Sequence, residues 1–132
     1  MIVVDASALV AIADDEPERA RFLQVLTEAS DLAISSINAV ETGLILIGRR
    51  RLKDVDELNL WLADLHIEVI HDRPSHSEAL AAYLTFGRTY HPARLNLADC
   101  FAYALAKSMD APLLFKGGDF PQTDIRPAVQ PT

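Results

Sequence analysis

The sequence has a single cysteine, Cys100, among its 132 residues. One thiol excludes an internal disulfide and every zinc site built from several cysteines, and it suits a reducing compartment. Long apolar runs are also missing, since the longest fall far short of the ~20 residues that a membrane-spanning helix needs. No segment has the pattern of a targeting signal. We therefore expect a cytoplasmic protein without a membrane segment.

Basic residues are scarce as well. The chain carries 12 Lys and Arg against 19 Asp and Glu, a formal net charge of −7. Proteins that bind phosphate backbones usually have a basic surface, so the total charge taken alone argues against a nucleic-acid partner. The imbalance is uneven, however, with a net charge of −6 over residues 1–66 and −1 over residues 67–132.

The sequence does contain an alternation of short β-branched runs with longer helical patterns. Half of its residues are hydrophobic, which is enough for the core of one domain of this length. Strands are predicted at 2–4, 32–34, 67–70, 112–115 and, as a fifth candidate, 123–126; helices are predicted from about 7, at 17–29, 36–51, from 54 or 56, at 75–90 and at 96–109. This order predicts an α/β fold with a doubly wound, mainly parallel sheet of four to five strands and helices on both faces. We expect residues 1–132 to form a single domain, with a flexible tail at 127–132.

Four acids follow a predicted strand or lie in the first turns of the helix after one: Asp5, Glu41, Asp99 and Asp119. Each has a local explanation. Asp5 could cap a helix, although Ser7 is the better cap candidate, and Glu41 could lie at a solvated edge. Asp99 could be stabilised by the helix dipole, and Asp119 could belong to a turn.

Taken together, the four acids indicate a shared site. Ligands in open parallel sheets bind beyond the carboxyl ends of the strands, which is where all four are expected. Clustered carboxylates repel one another unless a cation is present. Hard oxygen ligands favour Mg²⁺ or Mn²⁺, which bridge phosphate oxygens and activate water. The residues therefore predict a metal-dependent phosphoryl hydrolase.

Segments 2–8, 97–106 and 112–120, together with Ser36 and Glu41, resemble the PIN-domain ribonucleases and, within them, the VapC-type toxins of bacterial toxin–antitoxin pairs. The resemblance covers essentially the whole chain. It implies a Mg²⁺- or Mn²⁺-dependent endoribonuclease in which metal-activated water hydrolyses RNA phosphodiesters, leaving 5′-phosphate and 3′-hydroxyl ends. It also implies a homodimer, a cognate antitoxin, and a substrate that in this family is often structured RNA such as tRNA.

The same resemblance implies roles for individual residues. Asp5 and Asp99 would be the main metal ligands, and Glu41 and Asp119 would complete the catalytic site directly or through water. Ser7 would support the site by a hydrogen bond to a ligand or water. Gly118 stands where many relatives have an acid or Asn, a departure that affects the turn and not the Asp119 ligand.

Several other residues have two readings each. Arg88, Arg94 and Lys116 are candidates for RNA contact because they flank the predicted pocket. The basic run 49–51 is either a phosphate-contacting patch or a solvated helix end. The apolar stripe around Trp61 is either core or an antitoxin-binding groove.

Two other functions remain open from the sequence. A phosphoacceptor signalling domain is suggested by Lys116 after a strand, but it would need an acid pair after the first strand, where only Asp5 stands. A non-catalytic PIN-like binding module is the other alternative, and the four acids argue against it. Setting those acids aside as metal ligands leaves a net charge of −3, so total charge is a weak argument against RNA.

Overall fold

Four short parallel strands form the central sheet of the computed structural model, which describes residues 1–130. They are β1 (Ile2–Val4), β2 (Leu32–Ser35), β3 (Ile67–Ile70) and β4 (Leu113–Leu114), in the spatial order β3-β2-β1-β4. Every pairing is parallel. Such a sheet is buried on both sides, which agrees with the apolar runs that predicted its strands.

Six α-helices connect and cover the strands in the described part of the chain: α1 (Ala6–Ala13), α2 (Arg19–Glu28), α3 (Ser36–Gly48), α4 (Val55–Asp64), α5 (His76–Phe86) and α6 (Leu97–Ser108). Side chains alternate along each strand, so Val3 and Val4 enter different cores. One core joins Val4 to α1, α2 and α4, and the other joins Val3 to α5 and α6. The prediction of a doubly wound α/β fold is confirmed.

Three parts of the chain differ from the prediction. Residues 123–126 form no strand; a short 3₁₀ turn spans Phe120–Gln122, and an isolated bridge joins Leu113 to Pro127. Helices α3 and α5 end earlier than predicted, at Gly48 and Phe86, because periodicity continues past the point where the backbone turns.

Residues 127–130, the described part of the tail predicted at 127–132, contact the rest of the fold. The Ala128 amide donates to the Leu113 carbonyl at 2.9 Å, and Ala128 and Val129 pack against the core. An Arg21 guanidinium nitrogen donates to the Gln130 carbonyl at 3.1 Å. Residues 131 and 132 lie outside the described residues.

Trp61 lies partly buried against the core formed with Leu58 and Leu62, so its stripe is a packing surface. Cys100 is fully buried on α6, and burial raises the pKa of its thiol to about 11, as suits a core residue. Among residues 1–130, no helix is long and apolar enough to cross a membrane.

Candidate active site

The strand order places the carboxyl end of β1 at the centre of the site. From β1 the chain moves outward to β2 and β3, and it returns to the other side of β1 as β4. The direction of winding therefore changes next to β1. Beyond the carboxyl ends of the strands, this change opens a crevice that binds ligands in folds of this type.

Asp5 directly follows β1 and is 3% exposed. Its Oδ2 accepts hydrogen bonds from the Ser7 amide at 3.0 Å and the Ser7 hydroxyl at 2.5 Å. Asp5 is therefore the N-cap of α1, and the preference for Ser7 as cap was wrong because Ser7 already lies inside the helix. Asp5 Oδ1 is buried and makes no hydrogen bond within residues 1–130. Burial raises the pKa of this carboxyl to about 6.

Ser7 links two sides of the site. While its hydroxyl donates to Asp5, the same oxygen accepts the backbone N–H of Lys116 at 3.0 Å. Lys116 follows Phe115, the first residue after β4. Ser7 therefore orients the Asp5 carboxylate and fixes the start of the loop that carries Asp119.

Asp99 lies in the first turn of α6, which the sequence predicted from Asn96 as the N-cap. The two side chains form a capping box: Asn96 Oδ1 accepts the Asp99 amide at 2.8 Å, and Asp99 Oδ2 accepts the Asn96 amide at 3.0 Å. Burial, together with the charges of Asp5 and Asp119, raises the pKa of Asp99 to about 6. Its hydrogen bonds within residues 1–130 use Oδ2, which leaves Oδ1 for a ligand.

Glu41 is half-buried on α3, one turn after Asn38. The Asn38 side-chain amide donates to Glu41 Oε1 at 3.4 Å and to the Ala98 carbonyl at 3.0 Å. Burial and the nearby charge of Asp99 raise the pKa of Glu41. Glu41 therefore does not lie at a solvated edge, which was its alternative explanation.

Asp119 is exposed and precedes the short 3₁₀ turn that begins at Phe120. The left-handed backbone of Gly117, with φ of +112°, turns the chain just before it. Its charge acts on Asp99. Asp119 is thus at the rim of the site, whereas Asp5 lies at its base.

The four acids are electrostatically linked. Asp5 acts on Asp99, Glu41 acts on Asp5, and Asp99 acts on Glu41, each by raising the partner's pKa. Within residues 1–130, no group of three His, Cys, Asp or Glu side chains is already arranged around one point as metal ligands. The ligand demand of Mg²⁺ is smaller than that, since it is usually held by one or two carboxylates together with waters and substrate phosphates.

The predicted basic residues differ in whether their charges form ion pairs within the described part of the chain. Lys116 Nζ pairs with Glu16 and, at 3.2 Å, with Glu18, so its charge is engaged away from the four acids. Arg88 is exposed, and its charge lowers the pKa of Asp99, which places it close to the site. Arg94 is exposed in the loop before α6. In the basic run, Arg49 and Arg51 both pair with Asp14, so two of its three residues serve the fold.

Asn38 is the residue that sequence reasoning missed. The sequence predicts it only as part of the helix at 36–51, yet it is fully buried and contacts both Glu41 and α6. An Asn three residues before an acid, within an otherwise apolar helix, was the available signal, since buried amides need partners.

Comparisons with known proteins show the family to which the chain belongs. A family model described as PIN domain matches residues 2–126, so the chain belongs to the PIN-domain family. Ribonuclease VapC30 of Mycobacterium tuberculosis is 40% identical over 132 residues, which cover 98% of this chain and 100% of the relative. Ribonuclease VapC of Mycolicibacterium smegmatis is 37% identical over 125 residues, covering 94% of this chain and 97% of the relative. Within the family, the chain is therefore of the VapC ribonuclease type, an endoribonuclease toxin.

Solved structures support the fold. The crystal structure of VapC20 of M. tuberculosis, described as a sarcin–ricin loop cleaving toxin, has a TM-score of 0.72 at 16% identity and covers 96% of this chain and 100% of that one. The crystal structure of PAE2754 from Pyrobaculum aerophilum has a TM-score of 0.61 at 24% identity and covers 93% of this chain and 79% of that one.

Proposed function

We propose that this VapC-type ribonuclease cleaves RNA with a divalent cation, Mg²⁺ or Mn²⁺, held by Asp5 and Asp99, with Glu41 and Asp119 assisting directly or through water. The observation that carries the proposal is the Oδ1 of Asp5, which is buried and has no hydrogen-bond partner within residues 1–130. A buried carboxylate oxygen without a hydrogen-bond donor is costly, and a cation is the partner that such an oxygen lacks.

The donor set fits that cation. Carboxylate oxygens suit Mg²⁺ and Mn²⁺, and the nearest thiol, Cys100, is protonated and buried. Asp5 and Asp99 each use one carboxylate oxygen in a helix cap, and within residues 1–130 the other oxygen of each makes no hydrogen bond. A bound cation would supply Lewis acidity and activate a water for attack on the phosphodiester.

The protein's own groups have three tasks in this proposal. Ser7 and the Asn96 capping box hold Asp5 and Asp99 in fixed orientations. Arg88, exposed beside Asp99, would contact an RNA phosphate, with Arg94 as a second contact. Lys116 contributes through its backbone amide to Ser7, because its ammonium group is paired with Glu16 and Glu18.

The experiment that tests the proposal is RNA cleavage by the purified chain with and without added Mg²⁺ or Mn²⁺, with tRNA as the first substrate. We expect cleavage only with the cation, products with 5′-phosphate and 3′-hydroxyl ends, and no cleavage by Asp99→Asn. Asp110→Asn is the control, since Asp110 is an exposed acid paired with Arg126. Cleavage at full rate in EDTA, or by Asp99→Asn, would contradict the proposal.

We propose a homodimer and a cognate antitoxin as partners, acting in the cytoplasm, where RNA and antitoxin are made. Two apolar surfaces support this. Exposed Leu80 and Leu97 line a hollow of about 540 Å³ between α5 and α6, next to the site. Exposed Val40, Leu44 and Val55 line a groove of about 690 Å³ between α3 and α4.

We propose different partners for these two surfaces. Asp56 and Glu57 are exposed in the first turn of α4, beside the groove, which suits a basic apolar segment of an antitoxin. The α5–α6 hollow is assigned to the second protomer. Leu80→Glu should give a monomer by light scattering, whereas Leu44→Glu should leave the oligomer unchanged; the reverse result would exchange the two assignments.

A further inference from the structure

Asn38 lies in the first turn of α3 and is fully buried. Its Oδ1 accepts the Ser35 hydroxyl, and its Nδ2 donates to the Ala98 carbonyl at 3.0 Å and to Glu41 Oε1 at 3.4 Å. The orientation of the amide is dictated by these neighbours, because a carbonyl and a carboxylate accept only, while the hydroxyl can donate. Both N–H groups and the carbonyl of this side chain are therefore in use.

The partners of the amide lie on both sides of the site. Glu41 belongs to α3, and Ala98 belongs to the first turn of α6, directly before Asp99. One rigid amide group thus spans the helix that carries Glu41 and the helix that carries Asp99. Ser35 is the N-cap of α3 at the end of β2, and its side chain also holds Asn38 in place by accepting the Asn38 backbone amide.

Thr42, one turn further along α3, is a matched comparison. It is also fully buried, and its hydroxyl donates to the Asn38 backbone carbonyl at 2.7 Å. That bond stays within one helix and contacts no acid. If Asn38 only stabilised α3, removing the equally buried Thr42 hydroxyl should affect the protein to a similar extent.

We infer that Asn38 is a positioning residue, which holds the Glu41 carboxylate and the first turn of α6 at a fixed separation and so sets the distance between Glu41 and Asp99. The inference rests on the proposed function to the extent that this separation matters for cation binding. Groups that orient metal ligands from behind typically change metal affinity 10- to 100-fold when they are removed.

The test compares Asn38→Leu, which keeps the volume and loses both N–H donors, with Thr42→Val, which loses the buried hydroxyl. Mn²⁺ affinity is measured by calorimetry at neutral pH, and folding is checked by urea unfolding. We expect Asn38→Leu to bind Mn²⁺ about tenfold more weakly, and Thr42→Val to stay within about twofold of the wild type. Adding Glu41→Gln should shrink the effect of Asn38→Leu, because the group through which it acts is gone. Equal affinities for wild type and Asn38→Leu, or an equal loss in both single variants, would overturn the inference.

A second measurement needs neither metal nor a folded Asn38 variant. In the metal-free protein, the side-chain amide proton resonances of Asn38 should shift on Glu41→Gln and should not move on Asp14→Asn, which alters an ion pair elsewhere. Unchanged resonances in Glu41→Gln would overturn the inference. A wild-type chain that binds no Mn²⁺ would contradict the proposed function, while these resonances would still decide the role of Asn38.

Discussion

Helix α1 has an acid at each end, and the protein treats the two in opposite ways. Asp14, at the C-terminal end, accepts hydrogen bonds from Arg49 and, at 2.9 Å, from Arg51. Asp5, at the N-terminal end, is more deeply buried and has one oxygen without any partner in the described part of the chain. The chain therefore neutralises an acid near its surface and leaves a buried one uncompensated.

The same contrast extends to the neighbours of each acid. Glu16 and Glu18, which follow Asp14, share the ammonium group of Lys116. Glu41 and Asp99, which are linked to Asp5, have raised pKa values because burial and mutual repulsion disfavour their charges. A stabilising role explains the first group of acids. The second group costs stability, which is typical of a site that exists for its chemistry.

The largest effect is expected from neutralising Asp5, whose Oδ1 has no hydrogen-bond partner within residues 1–130. Asp5→Asn keeps the N-cap, since Asn caps as well as Asp, and removes the charge that would hold the cation. We expect RNA cleavage to fall by about 10²- to 10³-fold, the equivalent of a few kcal/mol of transition-state stabilisation. The measurement is initial cleavage rate on labelled RNA, with circular dichroism to verify folding. Near-normal cleavage by a folded Asp5→Asn variant would contradict the view that Asp5 serves the site whereas Asp14 serves the fold.

The gain in stability on metal binding should depend on Asp5, at one end of α1, and not on Asp14, at the other. Mn²⁺ at 100 times its dissociation constant should stabilise the wild type by about 2.7 kcal/mol, and Asp14→Asn should show the same gain. Asp5→Asn should show almost none. Urea unfolding with EDTA or with Mn²⁺ measures these gains, and equal gains in all three proteins would mean that the cation binds elsewhere.

The pH dependence of stability sharpens the contrast. In the metal-free chain burial raises the pKa of Asp5 to about 6, from the ordinary aspartate value of 3.8. Between these values the folded state binds more protons than the unfolded state, so the stability contributed by this group is full below about pH 4 and is lost as the pH rises through 6. At pH 7 in EDTA, Asp5→Asn should be more stable than the wild type by on the order of 2 kcal/mol, and the difference should fade towards pH 4. A difference that grows at low pH would have the wrong sign.

The smallest effect is expected at the paired acid. Asp14→Asn removes the charge that Arg49 and Arg51 share, and these arginines are about half exposed, so solvent screens the interaction. We expect a slight loss of stability and an unchanged cleavage rate. A large loss of cleavage in Asp14→Asn would show that the two ends of the helix are not independent.

Much of this arrangement could be predicted from the sequence, because it depends on local patterns. The β-branched run before Asp5 and the Asn96 cap before Asp99 placed two acids at the correct ends of a strand and a helix. Ion pairs such as Asp14 with Arg51 could not be predicted, since they join residues far apart in the chain. The isolated bridge that joins Pro127 to Leu113 could not be predicted either, because a single backbone pairing leaves no periodic signal. The contact of Asn38 with Ala98 likewise depends on how α3 packs against α6.

The most direct test of the central claim is calorimetric titration of Mn²⁺ at pH 7 into three proteins: the wild type, Asp5→Asn and Asp14→Asn. We expect binding by the wild type and by Asp14→Asn with similar affinity, and none by Asp5→Asn. Binding by Asp5→Asn with wild-type affinity, or no binding by the wild type, would contradict the central claim.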